Sequence, residues 1–288
     1  MRCNASRDEN LKRALLKISE AAAKGAQIVS LPELFLNPYF CQKKDDKGAF
    51  AMAEGIPGPT TQVLSEAARR LKITLVGGSI FEKGSIAKFY NTTPVFGPDG
   101  AELGTYRKTH IPEDLRFHEQ HYFSPGDTGI RVFDTPLGKI APLICFDQWF
   151  PEAARIAALQ GAEILFYPTA IGNFADEKPE EGLSAEASQS EAKEGSWQDA
   201  WETVQRGHAI ANNVFVAAVN RVGREDDLEF FGGSFICDAF GKVLARAGHE
   251  EEILLAECDL SMIPGVREGW GFFRNRRPEM YKAVTESE

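Results

Sequence analysis

Apolar positions recur along this chain with two periods, and the order in which the periods change repeats. Leu11, Leu15, Ile18 and Ala22 fall at helical spacing over residues 9–23. The largely apolar run 28–31 then has the length of a short buried strand. Val63, Leu64, Ala67 and Leu71 place a second helix over 60–71, which feeds a strand over 73–81. Residues 90–96 and 101–107 read as a hairpin, because Gly97-Pro98-Asp99-Gly100 supplies turn residues between them. The second half runs the same way. Pro151 opens a helix that reaches Gly161, with Ile156 and Leu159 among its apolar positions, and a strand then ends at Pro168. A helix over 198–212 feeds a strand over 214–222, and residues 233–237 and 242–247 flank a turn at 238–241.

The halves share letters as well as periods. KGAQIVSLPELFLN at 24–37 and QGAEILFYPTAIGN at 160–173 both have Gly-Ala, a polar residue, an apolar run, a proline and a later asparagine. Gly25 and Gly161 fit helix C-termini. Helices alternating with strands, twice over, predict two sheets of similar make-up, packed face to face with helices outside. The expected fold is therefore α/β: a four-layer α-β-β-α sandwich with an internal pseudo-twofold repeat, in a single domain over 1–288 with a tail from about 265. One stretch differs. Residues 175–199 carry eight acids against two lysines and almost no large apolar side chain, and read as a surface loop.

Composition narrows the function. The chain has 288 residues, 43% hydrophobic and 26% charged, which is ordinary for a globular protein. A formal charge of −10 argues against a nucleic-acid or anionic-membrane partner. No apolar stretch approaches the roughly 18 residues that span a bilayer. MRCNASRDEN has no apolar core, so no secretory signal is expected. Cys3, Cys41, Cys145, Cys237 and Cys258 are scattered, odd in number and without a CxxC pair. Neither a disulfide framework nor a zinc site is suggested, and a reducing cytoplasm suits a free thiol.

Cys145 is the candidate nucleophile. In KIAPLICFDQWFPEAAR an apolar run ends at the cysteine, a short turn follows, and Pro151 opens a helix. A thiol between a strand end and a helix N-terminus is expected to favour the thiolate. A buried core cysteine is the commoner fate of an isolated Cys; Asp147, Gln148 and Trp149, just after it, argue the other way. Two further strand ends carry polar residues: Glu33 after Pro32, and Lys108 in YRKTHIP. Singly these are a loop acid and a surface lysine. With Cys145 they make a coherent machine: thiolate attack on a carbonyl, a carboxylate that takes the thiol proton and later activates water, and an ammonium that stabilises the oxyanion. The Phe146 N–H is a candidate second oxyanion donor.

Glu33 in LPELF, Lys108 in YRKTHIP and Cys145 in ICFDQWFPEAAR resemble the Glu-Lys-Cys triad of the nitrilase (carbon–nitrogen hydrolase) superfamily, in order and over nearly the whole chain. The resemblance implies the sandwich and hydrolysis of a non-peptide C–N bond through a thioester-type acyl-enzyme, with no metal or organic cofactor. It also implies a second glutamate near the lysine, matching Glu119 in RFHEQHYFSPGD. NPYFCQ at 37–42, YPTAIG at 167–172 and WGFFRNRRPEMY at 270–281 resemble the N-carbamoylputrescine amidohydrolases of that superfamily, which implies a ureido substrate with a distal ammonium and a place in polyamine synthesis. Acids or aromatic faces would hold that ammonium, and Tyr39, Phe146, Trp149 and Asp176 are the candidate substrate-binding residues. Arg116, in the loop after Lys108, departs from the family pattern and keeps carboxylate substrates and ω-amides open. A non-catalytic assembly protein on the same fold is the alternative from another class. Homo-oligomers are expected, with residues 269–284 as a contact or as a solvated basic tail. Relatives begin with an apolar strand where this chain starts at Met1-Arg2-Cys3-Asn4: either the start is truncated or the first strand is absent, and a missing strand would leave neighbouring edges unpaired.

Overall fold

The computed structural model describes residues 1–44, 48–85, 87–175 and 197–286. The first sheet contains β1 (Ile28–Ser30), β2 (Thr74–Val76), β3 (Ile80–Lys83), β4 (Phe89–Phe96) and β5 (Glu102–Arg107). β1 and β2 run parallel, while β4 runs antiparallel to β2, β3 and β5. The second sheet has six strands in the spatial order Val243–Arg246, Phe235–Cys237, Phe215–Val219, Ile164–Pro168, Gly138–Pro142, Phe133–Thr135. A three-stranded ribbon joins Gly172–Phe174, Leu228–Phe231 and Val222–Glu225.

The period-two pattern sorts side chains between layers. In the strand Ile164–Pro168, Ile164 and Phe166 point between the sheets, against Phe133, Ile140 and Val95. Leu165 and Tyr167 point outward, into a cluster with Ala153, Ala157, Trp201 and Ala209 from α3 (Pro151–Leu159) and the helix Trp197–Asn212. The first sheet mirrors this. Val76 and Val95 face inward, while Leu75 and Phe96 pack on Ile18 and Leu64 from α1 (Arg7–Ala23) and α2 (Pro59–Leu71). Helices, sheet, sheet, helices: the four expected layers are present, and the repeat holds in part, although the sheets have five and six strands. β1 and β2 are parallel across α2, as Ile164–Pro168 and Phe215–Val219 are across the helix Trp197–Asn212.

Two predicted strands are broken. The strand expected over 73–81 is β2 and β3, which share one side of β4 with Gly77-Gly78 between them. Gly78 has φ +63°, and a Cβ there would lie 2.4 Å from the Pro32 carbonyl oxygen; the kink makes room for the segment that carries Glu33. The strand expected over 214–222 stops at Val219. The Asn220 amide then donates to the Ile171 and Gly232 carbonyls and accepts from the Ile171 N–H, replacing ladder bonds with side-chain bonds that turn the chain. In the predicted 175–199 loop, Trp197 onward is helix and residues 176–196 lie outside the described ones.

Ile164–Pro168 has a parallel neighbour on each side. Among the described residues β1 pairs only with β2. Its other side faces a cleft of about 160 Å³ between Ile18 of α1, Ala217 of the second sheet and the extended segment around Ile253. This fits the expectation of an unpaired edge. No described helix is long and apolar enough to cross a membrane.

Candidate active site

Three strand ends and one short helical turn converge at one end of the sandwich. Glu33 follows β1, and its position is fixed from two sides: Gly78 abuts Pro32, and the Leu34 N–H donates to Ser79 Oγ at 2.9 Å. Lys108 follows β5, its N–H still in the ladder to the Asn91 carbonyl at 2.8 Å. Glu119 opens the 3₁₀ turn Glu119–His121. Cys145 begins the 3₁₀ helix Cys145–Trp149 at φ +41°, an uncommon backbone conformation for a residue with a Cβ. Asp147 sustains it. One of its oxygens accepts from the Ile144 N–H (2.8 Å) and the Tyr106 hydroxyl (2.7 Å), the other from the His110 N–H (3.1 Å). The turn that bears Cys145 is thereby tied to the end of β5.

The charged groups are stacked without solvent. Lys108 Nζ donates to Glu33 Oε1 at 2.8 Å and to Glu119 Oε2 at 2.7 Å, and the three side chains are at most 1% exposed. Glu33 Oε1 also accepts from Asn91 Nδ2 at 2.8 Å, while Glu33 Oε2 is buried without a hydrogen-bond partner among the described residues. Such an oxygen carries a desolvation cost unless something is brought to it. Burial opposes the charge on Lys108, but the Glu119 and Glu33 carboxylates outweigh it and hold the ammonium well above its ordinary range. Burial, with Glu33 nearby and against the pull of Lys108, pushes Glu119 up to about 7.

Cys145 is 7% exposed, and burial, then Glu33, push its thiol well above the ordinary value of 9.0. Burial and the two carboxylates thus outweigh Lys108 and favour the thiol rather than the expected thiolate. Tyr39, predicted to face substrate, is 1% exposed and donates its hydroxyl to Glu119 Oε1 at 2.7 Å. Phe146 and Trp149 are half-buried; Phe146 packs edge-on to Phe150 and Trp149 edge-on to Trp197. Asp176 lies outside the described residues. Arg116 pairs with Asp227 at 3.2 Å. Asp147 and Gln148 are fully buried, so their polarity serves the turn: Gln148 Oε1 accepts from Trp201 Nε1 at 2.7 Å. Sequence reasoning missed Asn91, whose signal was a polar residue in the buried strand β4, and the clamping role of Asp147.

A family profile described as carbon-nitrogen hydrolase matches residues 2–268. The N-carbamoylputrescine amidase of Solanum lycopersicum is 41% identical over 98% of this chain and 91% of its own length. The citrullinase of Francisella tularensis is 40% identical over 98% and 94%. Among solved structures, a carbon-nitrogen hydrolase from Helicobacter pylori superposes with a TM-score of 0.87 at 39% identity, covering 99% of this chain and 96% of that one. With sequence likeness spanning the chain and the same architecture in a solved relative, the protein belongs to the carbon–nitrogen hydrolase (nitrilase) family and is a hydrolase of carbon–nitrogen bonds.

Proposed function

We propose that this hydrolase cleaves the ureido group of N-carbamoylputrescine to putrescine, carbon dioxide and ammonia, with Cys145 as nucleophile. The observation that carries the chemistry is the unpartnered Glu33 Oε2 in the cluster that bears on the Cys145 thiol. Because that thiol is held protonated, the proton leaves as the sulfur attacks, and Glu33 takes it. The carbonyl oxygen becomes an oxyanion facing Lys108 and the Phe146 N–H, which lies in the first turn of a helix, where backbone donors have no intrahelical partner. A ureido carbonyl is a weak electrophile, and one such donor contributes roughly a hundred- to a thousand-fold in rate. The tetrahedral intermediate collapses with loss of putrescine, its leaving nitrogen taking the proton from Glu33, and Cys145 keeps the carbamoyl group as a thioester. Water, deprotonated by Glu33, displaces the sulfur, which recovers its proton; the released carbamic acid falls apart to carbon dioxide and ammonia. Glu119 keeps Lys108 charged and aligned throughout.

The substrate rests on likeness to the plant amidases and on Arg116. A carbamoyl amino acid needs a cation for its carboxylate, and the guanidinium best placed by sequence is already paired with Asp227. The test is ammonia release from N-carbamoylputrescine, N-carbamoyl-β-alanine, citrulline and an ω-amide side by side, with Cys145→Ala as the blank. Preference for the first compound, abolished in a folded Cys145→Ala protein, is the expected result. Preference for any of the others overturns the substrate, and a near-wild-type rate in Cys145→Ala overturns the nucleophile.

A further inference from the structure

Tyr39 is held from three directions before its hydroxyl is considered. Its N–H donates to Glu225 Oε2 at 2.6 Å, and Arg221 lies 3.3 Å from the other oxygen of Glu225. Gln42 Nε2 donates to the Tyr39 carbonyl at 3.1 Å and to the Glu225 carbonyl at 3.0 Å, binding the 39–42 segment to the ribbon strand Val222–Glu225. The ring packs against Phe117 and Phe230, with centroids 5.6 and 6.0 Å away. With backbone and ring fixed, the phenol oxygen has one destination, Glu119 Oε1 at 2.7 Å. Lys108 takes the other oxygen of that carboxylate. Two donors on opposite oxygens fix the plane of the carboxylate as well as its place.

We propose that Tyr39 is a positioning residue of the reaction: its phenol holds Glu119 charged and turned toward Lys108, and so sets the pH above which the site works. The proposal rests on Glu119 acting with Lys108, as in the reading above, and not on which carbamoyl compound is cleaved. The groups that bear on Glu119 are Lys108 from the end of β5, Glu33 from the end of β1, Tyr39 and Cys41 from the 39–42 segment, and Cys145. Among these, only Lys108 and Tyr39 donate to its carboxylate in hydrogen bonds. Burial, then the Glu119 charge, keeps the Tyr39 phenol well above its ordinary value of 10.0. The shared proton therefore stays on tyrosine, and the hydrogen bond points one way at every working pH.

Tyr39→Phe deletes one hydroxyl and keeps the packing. The expected result is a loss in kcat of about ten- to a hundred-fold, the range for a hydrogen bond to a charged group, with KM unchanged and the acid limb of kcat/KM displaced to higher pH. Alkylation of Cys145 by iodoacetamide, followed by mass spectrometry in the free enzyme, should show the same displacement without any substrate. A raised KM with an unmoved acid limb overturns the proposal and makes Tyr39 a substrate contact. Unmoved limbs in both assays overturn it in favour of packing alone. A displaced alkylation profile in a protein inactive on every carbamoyl compound refutes the proposed substrate while supporting this role. Should Tyr39→Phe fold poorly, Glu119→Gln, which keeps the phenol and removes the titrating carboxylate, decides: loss of the acid limb from the Cys145 alkylation profile supports the role, and an unmoved limb overturns it.

Discussion

A lysine enclosed by two carboxylates is one charge short of neutrality, and the surplus is felt by Glu119. Its ordinary pKa of 4.5 rises to about 7 in the folded protein. The folded state therefore binds this proton more tightly than the unfolded chain, so the stabilisation is complete below 4.5 and is lost as pH rises through about 7. Urea denaturation at pH 5 and pH 8 should show the wild type losing stability relative to Glu119→Gln over that interval. A constant difference between the two proteins would place the titration elsewhere. The sequence pointed to Glu33, Lys108 and Cys145 because each is a polar residue where a strand stops, the strands before Glu33 and Cys145 being apolar. It said little about protonation, which depends on side chains that arrive from elsewhere in the chain. The helix-terminus argument for a thiolate considered one favourable dipole and omitted burial and Glu33, which together decide the state of Cys145.

At the scale of elements, periodicity located the long helices and the hairpin that ends at Lys108, but not the short 3₁₀ turns that open at Glu119 and Cys145, which are too short to carry a period. The interruptions were not legible. Gly77-Gly78 reads locally as a permissive pair inside an apolar run, and only the approach of Pro32, more than forty residues away in sequence, explains why β2 and β3 part there. Gly78→Ala should accordingly affect chemistry as well as folding. The φ of +63° strains any side chain, and the added Cβ, 2.4 Å from the Pro32 oxygen, must displace the segment that carries Glu33. A destabilisation of about 1–3 kcal/mol, measured by denaturation, should accompany a fall in kcat that persists at temperatures where the variant is fully folded. An unchanged kcat would show that Glu33 keeps its place independently of the kink. Asn220 is the counterpart in the second half: a side chain that ends a strand by taking over its hydrogen bonds.

At the scale of the molecule, the duplication was visible in shared letters and is repeated in the pairing of strands; the exception is the open side of β1. Gln27 O and the Leu31 N–H are bonded toward β2, so by alternation the peptide groups of Ile28 and Ser30 point into the cleft. An edge of this kind is a template for another strand. Glu250, Glu251 and Glu252 line the same cleft, but Glu250 is paired with Arg2 and Glu251 with Arg13 and Lys17, so repulsion between copies at this edge is expected to come mainly from the overall charge of −10. Charge guards an edge only as far as its field reaches, roughly 10 Å at 0.1 M salt and 3 Å at 1 M. Light scattering should therefore show association growing with salt and suppressed by Ser30→Lys; growth unaltered by that substitution would point to another surface. The consequence reaches beyond the reaction: the same short strand that leads into Glu33 on one end carries along its open side the edge at which self-association is expected to begin once salt screens the chain's charge.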